Sequence, residues 1–416
     1  MDLISLIVLC LTLVIAFVFK LNSGLVALGV SLILALVTGI PEKTLLKAFD
    51  GSLFLTLLGV MYLFSIAQQN KTLELLAKKT FALCRGNVRI LPIAIFLVAA
   101  IISAVGPGLI SVTALVSVLI VALAKEMNTP AIRLIPFGML GAFAGGLSPI
   151  TPSGIVGIEL AEKSNIFGVE GSMPWKMALT CVIYAAILYF VFGWHRKPKP
   201  DLTVNQGGSA EKTPAFSSKQ IMTLVGILVV AVVSTVFKLK VGLPAFLVAV
   251  ILTLLKAADE GDALKKVPWG TLVMITGVGI LITVVTELGG IELLKNTLIR
   301  LSNAKIISGM MAVVCGVTSW FSSASGVVMP TFIPMVPDMV QSIQGANAVE
   351  LVNSISIGAN MAAISPLSSC GALMLAAYCS SDNVSAKDRN KMFLQLFILS
   401  AGGVVLSGLC ALLGTY

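Results

Sequence analysis

Long apolar stretches separated by short polar ones dominate the chain, and their lengths predict its elements. A helix needs about 20 apolar residues to cross the hydrocarbon core of a bilayer. Stretches of suitable length fall at about 3–19, 24–40, 51–68, 131–163, 174–193, 220–237, 241–256, 269–286, 349–380 and 391–413. Two more, at about 90–125 and 306–342, are too long for one span. They are interrupted by Gly106-Pro107-Gly108 and by Ser322-Ser323-Ala324-Ser325-Gly326. Each predicts a re-entrant helical hairpin. The spans at 131–163 and 349–380 are interrupted as well, at SPITPSG and SPLSSCG. Proline lacks an amide hydrogen, and serine and glycine favour non-helical backbone, so a helix stops and restarts there. Irregular backbone at membrane depth survives only where protein or water faces it. The breaks therefore predict a cavity.

The pattern is written twice. VFKLNSGL, Val18 to Leu25, recurs as VFKLKVGL, Val236 to Leu243, and GAFAGGLSPITPSG, Gly141 to Gly154, recurs as GANMAAISPLSSCG, Gly358 to Gly371. The two offsets, 218 and 217 residues, agree. A fixed period of this kind is the mark of a repeat architecture. In an apolar chain it points to a transporter built around a pseudo-twofold axis, with its site where the halves meet. Five crossings per half, with each hairpin returning to its own side, turn the second half upside down. The expected fold is an all-α polytopic membrane protein of two inverted repeats, with about ten transmembrane helices, two re-entrant hairpins and two broken helices. Its expected parts are a scaffold at 1–89 and 220–305, a transport part at 90–194 and 306–416, and a cytoplasmic linker at 195–219.

Composition agrees with a membrane protein. Hydrophobic residues make up 57% of the chain and charged ones 11%, against about 25% charged in soluble domains. The seven cysteines form no CxxC pair and read as packing residues. In the inverted topology nineteen lysines and arginines fall on one face and nine on the other. That bias puts the first face in the cytoplasm and both termini outside. The net charge of +9 is thus an orientation signal and not a sign of nucleic-acid binding. Residues 1–19 lack a basic leader and have a copy in mid-chain, so they are expected to be a retained span. Two amphipathic stretches, from Lys71 and from Gly289, carry Glu74 and Glu292 at matching positions. They are expected to lie flat at the membrane interface.

The breaks also suggest chemistry. A helix restarting at midplane aims free amides at the gap, and one stopping there aims carbonyls. Four restarts, near Leu109, Ile155, Val327 and Ala372, would suit an anion without any arginine or lysine. The carbonyl ends and nearby hydroxyls suit a small hard cation. A proline kink for packing is the plain reading of one such break; recurrence at a fixed offset favours binding. The hydroxyls of Ser322, Ser323 and Ser325 need partners in an apolar segment. Asn353 and Asn360 serve either to bind substrate or to tie helices together. Glu159 and Glu162 beside Lys163 read as a local ion pair, and the sequence offers no acidic pair that reads as a proton relay. With one histidine and neither HExxH nor GxSxG, an enzyme is not expected.

In this order of elements the chain resembles the ion transporter superfamily, specifically the divalent anion/sodium symporter group and its malonate-type dicarboxylate carriers. The resemblance covers the whole chain. At the tips, GPG and SSASG stand where that group's best-known members carry Ser-Asn-Thr. It implies a tip from Gly106 to Thr113, a break from Ser148 to Gly154, a second tip from Ser322 to Gly326 and a second break from Ser365 to Gly371. Substrate contacts are expected from Gly106, Gly108, Ser111, Thr113, Thr151, Ser323, Ser325, Gly326, Asn360, Ser368 and Ser369. A coupling cation, expected to be sodium, would be held at Ser148, Ser153, Gly154, Ser322, Ser325, Ser365, Ser368 and Gly371. No other cofactor is expected. The implied function is sodium-coupled transport of a small organic anion, a dicarboxylate, by a homodimeric elevator in the bacterial inner membrane. The alternative is an inorganic-ion exporter or sodium/proton antiporter of the same superfamily.

Overall fold

The computed structural model describes residues 1–75, 89–127, 129–195, 215–237, 239–379 and 384–416. Among these, every regular element is a helix. The first repeat opens with α1 (Asp2–Val18), α2 (Ser23–Thr38), a short α3 (Glu42–Lys47) and α4 (Gly51–Gln69). It continues with α5 (Leu91–Ala104), α6 (Gly108–Glu126), α7 (Ile135–Gly145), α8 (Pro152–Lys163) and α9 (Val169–Val191). The second repeat opens with α10 (Ser218–Phe237), α11 (Gly242–Leu254), α12 (Glu260–Lys266), α13 (Trp269–Glu287) and α14 (Gly290–Arg300). Then come α15 (Ile307–Trp320), a wide helical turn at Ala324–Val328, α16 (Met329–Phe332), α17 (Val336–Ser342), α18 (Ala348–Met361), α19 (Ser369–Cys379) and α20 (Ala386–Leu412). The fold class is the expected one, an all-α polytopic membrane protein. Each predicted span has its helix, and the chain bends by 116° between Ile307–Trp320 and Ala324–Ser342, forming the second hairpin.

The short helices α3 and α12 were not anticipated. They start 218 residues apart and each links the second span of its repeat to the third. The amphipathic stretch after α13 forms α14, which packs on α1 with Ile291 and Leu298 buried. Most of its first-repeat counterpart, like most of the 195–219 linker, lies outside the described residues.

The halves interlock through crossed pairs. α2 packs on α13, and α4 packs on α11. Helices in lipid gain nothing from hydrophobic exclusion, so close backbone approach at small residues has to supply the contact. Glycines supply it here. A Cβ on Gly24 would lie 2.1 Å from the Val273 carbonyl, and one on Gly277 would lie 2.3 Å from that of Gly24. A Cβ on Gly59 would meet the Gly242 carbonyl at 2.3 Å, and one on Gly242 would meet Thr56 Cα at 2.4 Å. Gly24 and Gly242 are repeat copies, as are Gly59 and Gly277, so one crossing is the image of the other.

The same contacts show the inversion. α1 begins beside Gly289, just past the end of α13. Its copy α10 begins beside Asn70, at the end of α4, where Gln220 Nε2 donates to the Asn70 carbonyl at 3.0 Å and Asn70 Nδ2 donates to Thr223 at 2.7 Å. The end of α4 lies beside the start of α13 and the start of α4 beside the end of α13, so these helices are antiparallel and the two repeats start at opposite ends. Further along each repeat α5 packs on α7 as α15 packs on α18, and α6 packs on α19 while α8 packs on the second arm of the other hairpin.

Candidate functional site

Both breaks are closed by the same local bonds. The Thr151 hydroxyl donates to the carbonyls of Gly146 and Ser148, each at 2.7 Å, and accepts from the Gly154 amide at 3.2 Å. Its copy Ser368 donates to the carbonyls of Ala363 and Ser365 at 2.7 and 2.8 Å. The chain folds back so tightly that a Cβ on Gly154 would lie 1.9 Å from the Ser148 carbonyl, and one on Gly371 would lie 2.1 Å from that of Ser365. Gly154, Gly371 and the two hydroxyls thus shape the loops. Each hydroxyl gives its proton to its own loop.

The first tip turns through Gly106 and Gly108, at φ +137° and +75°, a region closed to residues with a Cβ. It is also crowded. A Cβ on Gly106 would strike the Phe64 ring of α4 at 2.1 Å, and one on Gly108 would sit 2.9 Å from Pro152 at the start of α8. No side chain caps α6 after Pro107, so its first-turn amides are left for a ligand or water. The second tip differs. Ser323 accepts from the Gly326 amide at 3.1 Å and Ser322 donates to the Thr318 carbonyl at 2.8 Å. The chain there runs through the wide turn at Ala324–Val328, a form of helix found often at functional sites.

Between the first tip and helices α4 and α13 lies a cavity of about 240 Å³. Gly106 through Val112 line one side, with Pro152 and Ser153 from the first break and Ser325 from the second tip. Helices α4 and α13 add Phe64, Ser65, Gln68 and Thr271, and its lining also includes Glu74 and Lys266. Gly106, Gly108, Ser111, Ser153 and Ser325 are therefore brought together. Ser65, Gln68, Thr271 and Lys266 were missed, because a lone polar residue in a span carries no motif.

The other expected site residues lie apart from this lining. Thr113 is buried against the thiol of Cys370 on α19. Gly326 packs beneath Met274 of α13. Asn360 donates to the Ser356 carbonyl at 2.8 Å and lies 4.0 Å from the Met329 sulfur. Asn353 ties α18 to Ser172 of α9. Ser148, Thr151, Ser322 and Ser323 stay in their own loops, and Ser365, Ser368, Ser369 and Gly371 form the second break, away from the cavity. Among the described residues no group of three or more His, Cys, Asp or Glu side chains could hold a metal ion. Glu159 on α8 pairs with the residue just before α11, Lys240 Nζ lying 3.3 Å from its Oε1, and Lys163 pairs with Asp50. The Lys240 contact is out of line for a hydrogen bond, and neither Glu159 oxygen makes one.

A second cavity, of about 420 Å³, lies against α13 and the first turn of α4. Its Gly279, Ile282, Thr283 and Thr286 are the repeat copies of Met61, Phe64, Ser65 and Gln68. Its Ala48, Asp50 and Leu53 are the copies of Lys266, Pro268 and Thr271. The two cavities are thus images of each other in position, at opposite ends of α4 and α13. Only the first reaches Ser153 and Ser325.

The same architecture appears in the crystal structure of the YdaH transporter of Alcanivorax borkumensis, described as having an unusual topology. The two align with a TM-score of 0.59 over 96% of this chain and 98% of that one, at 14% identity, which establishes a shared fold. No curated protein sequence matches the chain. The family match is broader in meaning. Residues 13–358, from α1 to the middle of α18, match the CitMHS citrate transporter family, within the ion transporter superfamily that the order of elements suggested; the narrower malonate-type group goes beyond this match. A duplicated bundle of spans with a cavity beside its broken helices is an architecture that secondary transporters use, and the chain belongs to the CitMHS family of citrate transporters.

Proposed function

We propose that the chain carries a small di- or tricarboxylate of citrate's class across the bacterial inner membrane, coupled to sodium, with the transport part sliding as an elevator against a homodimeric scaffold. The observation that carries the reading is the uncapped N-terminus of the 19-residue α6 opening on the cavity beside Ser111, Ser153 and Ser325. Such an end offers amide donors and a partial positive charge to a carboxylate. Ser65, Gln68 and Thr271 supply further donors from the scaffold, and Lys266 would draw anions to the mouth. Sodium would take its oxygens from the carbonyl ends of the breaks and from hydroxyl lone pairs. A site lined jointly by the two parts changes its access when one moves past the other, which supports the elevator.

One observation favours a second reading. Glu159 is a carboxylate only 6% exposed and without a hydrogen bond, and ionisable residues at membrane depth commonly carry protons. The test is uptake of labelled citrate by proteoliposomes under imposed sodium or proton gradients, with succinate and malonate as competitors. Saturable uptake driven by sodium and inhibited by the competitors is expected. Uptake indifferent to sodium but driven by protons, and lost in Glu159→Gln, would replace sodium with the second reading. Indifference to every carboxylate would remove the substrate class.

A further inference from the structure

Beside Lys295–Asp338, which ties α14 to α17, two ion pairs join the moving and fixed parts at the end of the bundle where α4 begins. Lys163, at the end of α8, pairs with Asp50, which also caps α4 by accepting from the Leu53 amide at 3.1 Å. One turn earlier on α8, Glu159 faces Lys240, whose ammonium also donates to Ser52 Oγ at 3.1 Å. The helix that presents Ser153 to the substrate cavity is thus fastened at its far end to both halves of the scaffold, at Asp50 and Ser52 from the first repeat and Lys240 from the second.

At the copied positions of the other repeat the four charges of this fastening are missing. Asn22 stands at the copy of Lys240 and Gly270 at the copy of Ser52, and that contact is kept, with Asn22 Nδ2 donating to the Gly270 carbonyl at 2.7 Å. Pro268 stands where Asp50 would be, and Ala376 where Glu159 would be. Neither can form an ion pair. In the alternate arrangement, with the contacts of the two repeats exchanged, the copied positions hold no charge pair to replace the two that break.

We propose that Asp50–Lys163 and Glu159–Lys240 form a one-sided latch that holds the transporter with its site open beside Lys266, so that their strength sets the ratio of the two access states. The inference rests on the sliding of one part against the other proposed above. It explains why Asp50 and Leu160 both line the second cavity: releasing α8 from Asp50 is what would open that cavity to the transport part. Breaking a partly buried pair leaves a charge without its partner in the latched state, a larger loss than for an exposed pair. The state ratio should move by about three- to tenfold per pair removed.

The experiment compares two copied positions in proteoliposomes, with the native cysteines replaced. Single cysteines at Gln68, in the first cavity, and at Thr286, its copy in the second, are labelled with an impermeant maleimide, with and without citrate. Lys163→Met and Asp50→Asn, the latter keeping the helix cap, should each speed labelling at position 286 and slow it at 68 by about the stated factor. Lys240→Met should act in the same direction, and Lys163→Arg should keep the parent ratio. Rates unchanged in all three pair-breaking variants, while citrate still shifts the parent, would overturn the latch and leave the sliding intact. Rates unmoved by citrate and by every variant would overturn the sliding and the latch together.

Discussion

At the two breaks, Thr151 and Ser368 make the same two bonds to the same two copied carbonyls. At the two cavities the copied positions diverge: Lys266 and Pro268 at one stand where Ala48 and Asp50 stand at the other, and Gln68 stands where Thr286 does. The difference separates two kinds of demand. A helix interrupted at membrane depth must satisfy its loop carbonyls from within, and a small hydroxyl with a glycine close by does so in either half. Nothing in backbone geometry dictates what faces a solute, so the cavities are free to differ, one with a cation at its mouth and the other with Asp50. The ion pairs from α8 belong to the second kind.

The largest expected effect breaks the symmetric region. In Gly242→Val a side chain must fit where a Cβ already lies 2.4 Å from the Thr56 backbone. Since neither helix can yield, destabilisation should reach about 3 kcal/mol, seen as loss of monodisperse protein in detergent and a lowered melting temperature. Gly24→Val should do the same, and a tolerant Gly24 beside an intolerant Gly242 would deny that the crossings are images.

The breaks come next. Thr151→Val and Ser368→Ala each strand two buried carbonyls, and each should cost about 1–3 kcal/mol of stability without ligand, by similar amounts in calorimetric melts. Ser325→Ala sharpens the contrast. It leaves the loop bonds intact and should raise the half-saturating citrate concentration about tenfold, as loss of a hydrogen bond to a charged group implies, with an unchanged ligand-free melting temperature. A lower melting temperature with normal transport would make Ser325 a packing residue. The smallest effect belongs to Ser217→Ala, which lies ahead of α10 outside every site residue and should transport like the parent.

Much of this arrangement was legible because it is periodic. Span lengths follow from bilayer thickness, the hairpins and breaks from Gly, Pro and Ser inside apolar runs, and the inversion from an odd number of crossings between copies. The helices α3 and α12 were not, being six and seven residues long, too short for a periodic signal. Site residues on the first tip stood out by their glycines and proline. Ser65, Gln68 and Thr271 did not, although reading Ser65 against Thr283 and Gln68 against Thr286 at the 218-residue offset shows polar residues at both copies inside spans. The partner of Glu159 was beyond reach for another reason. Lys163 is its neighbour in sequence, and only the tertiary packing of α8 brings up Lys240 instead.

The proposed site places the anion where the uncapped start of α6 meets Ser153 and Ser325. A structure determined with citrate bound should show density for a carboxylate within hydrogen-bonding distance of the first-turn amides of α6 and of Ser111, Ser153 or Ser325. Citrate found instead at the Thr283 and Thr286 cavity, or away from both tips, would contradict it.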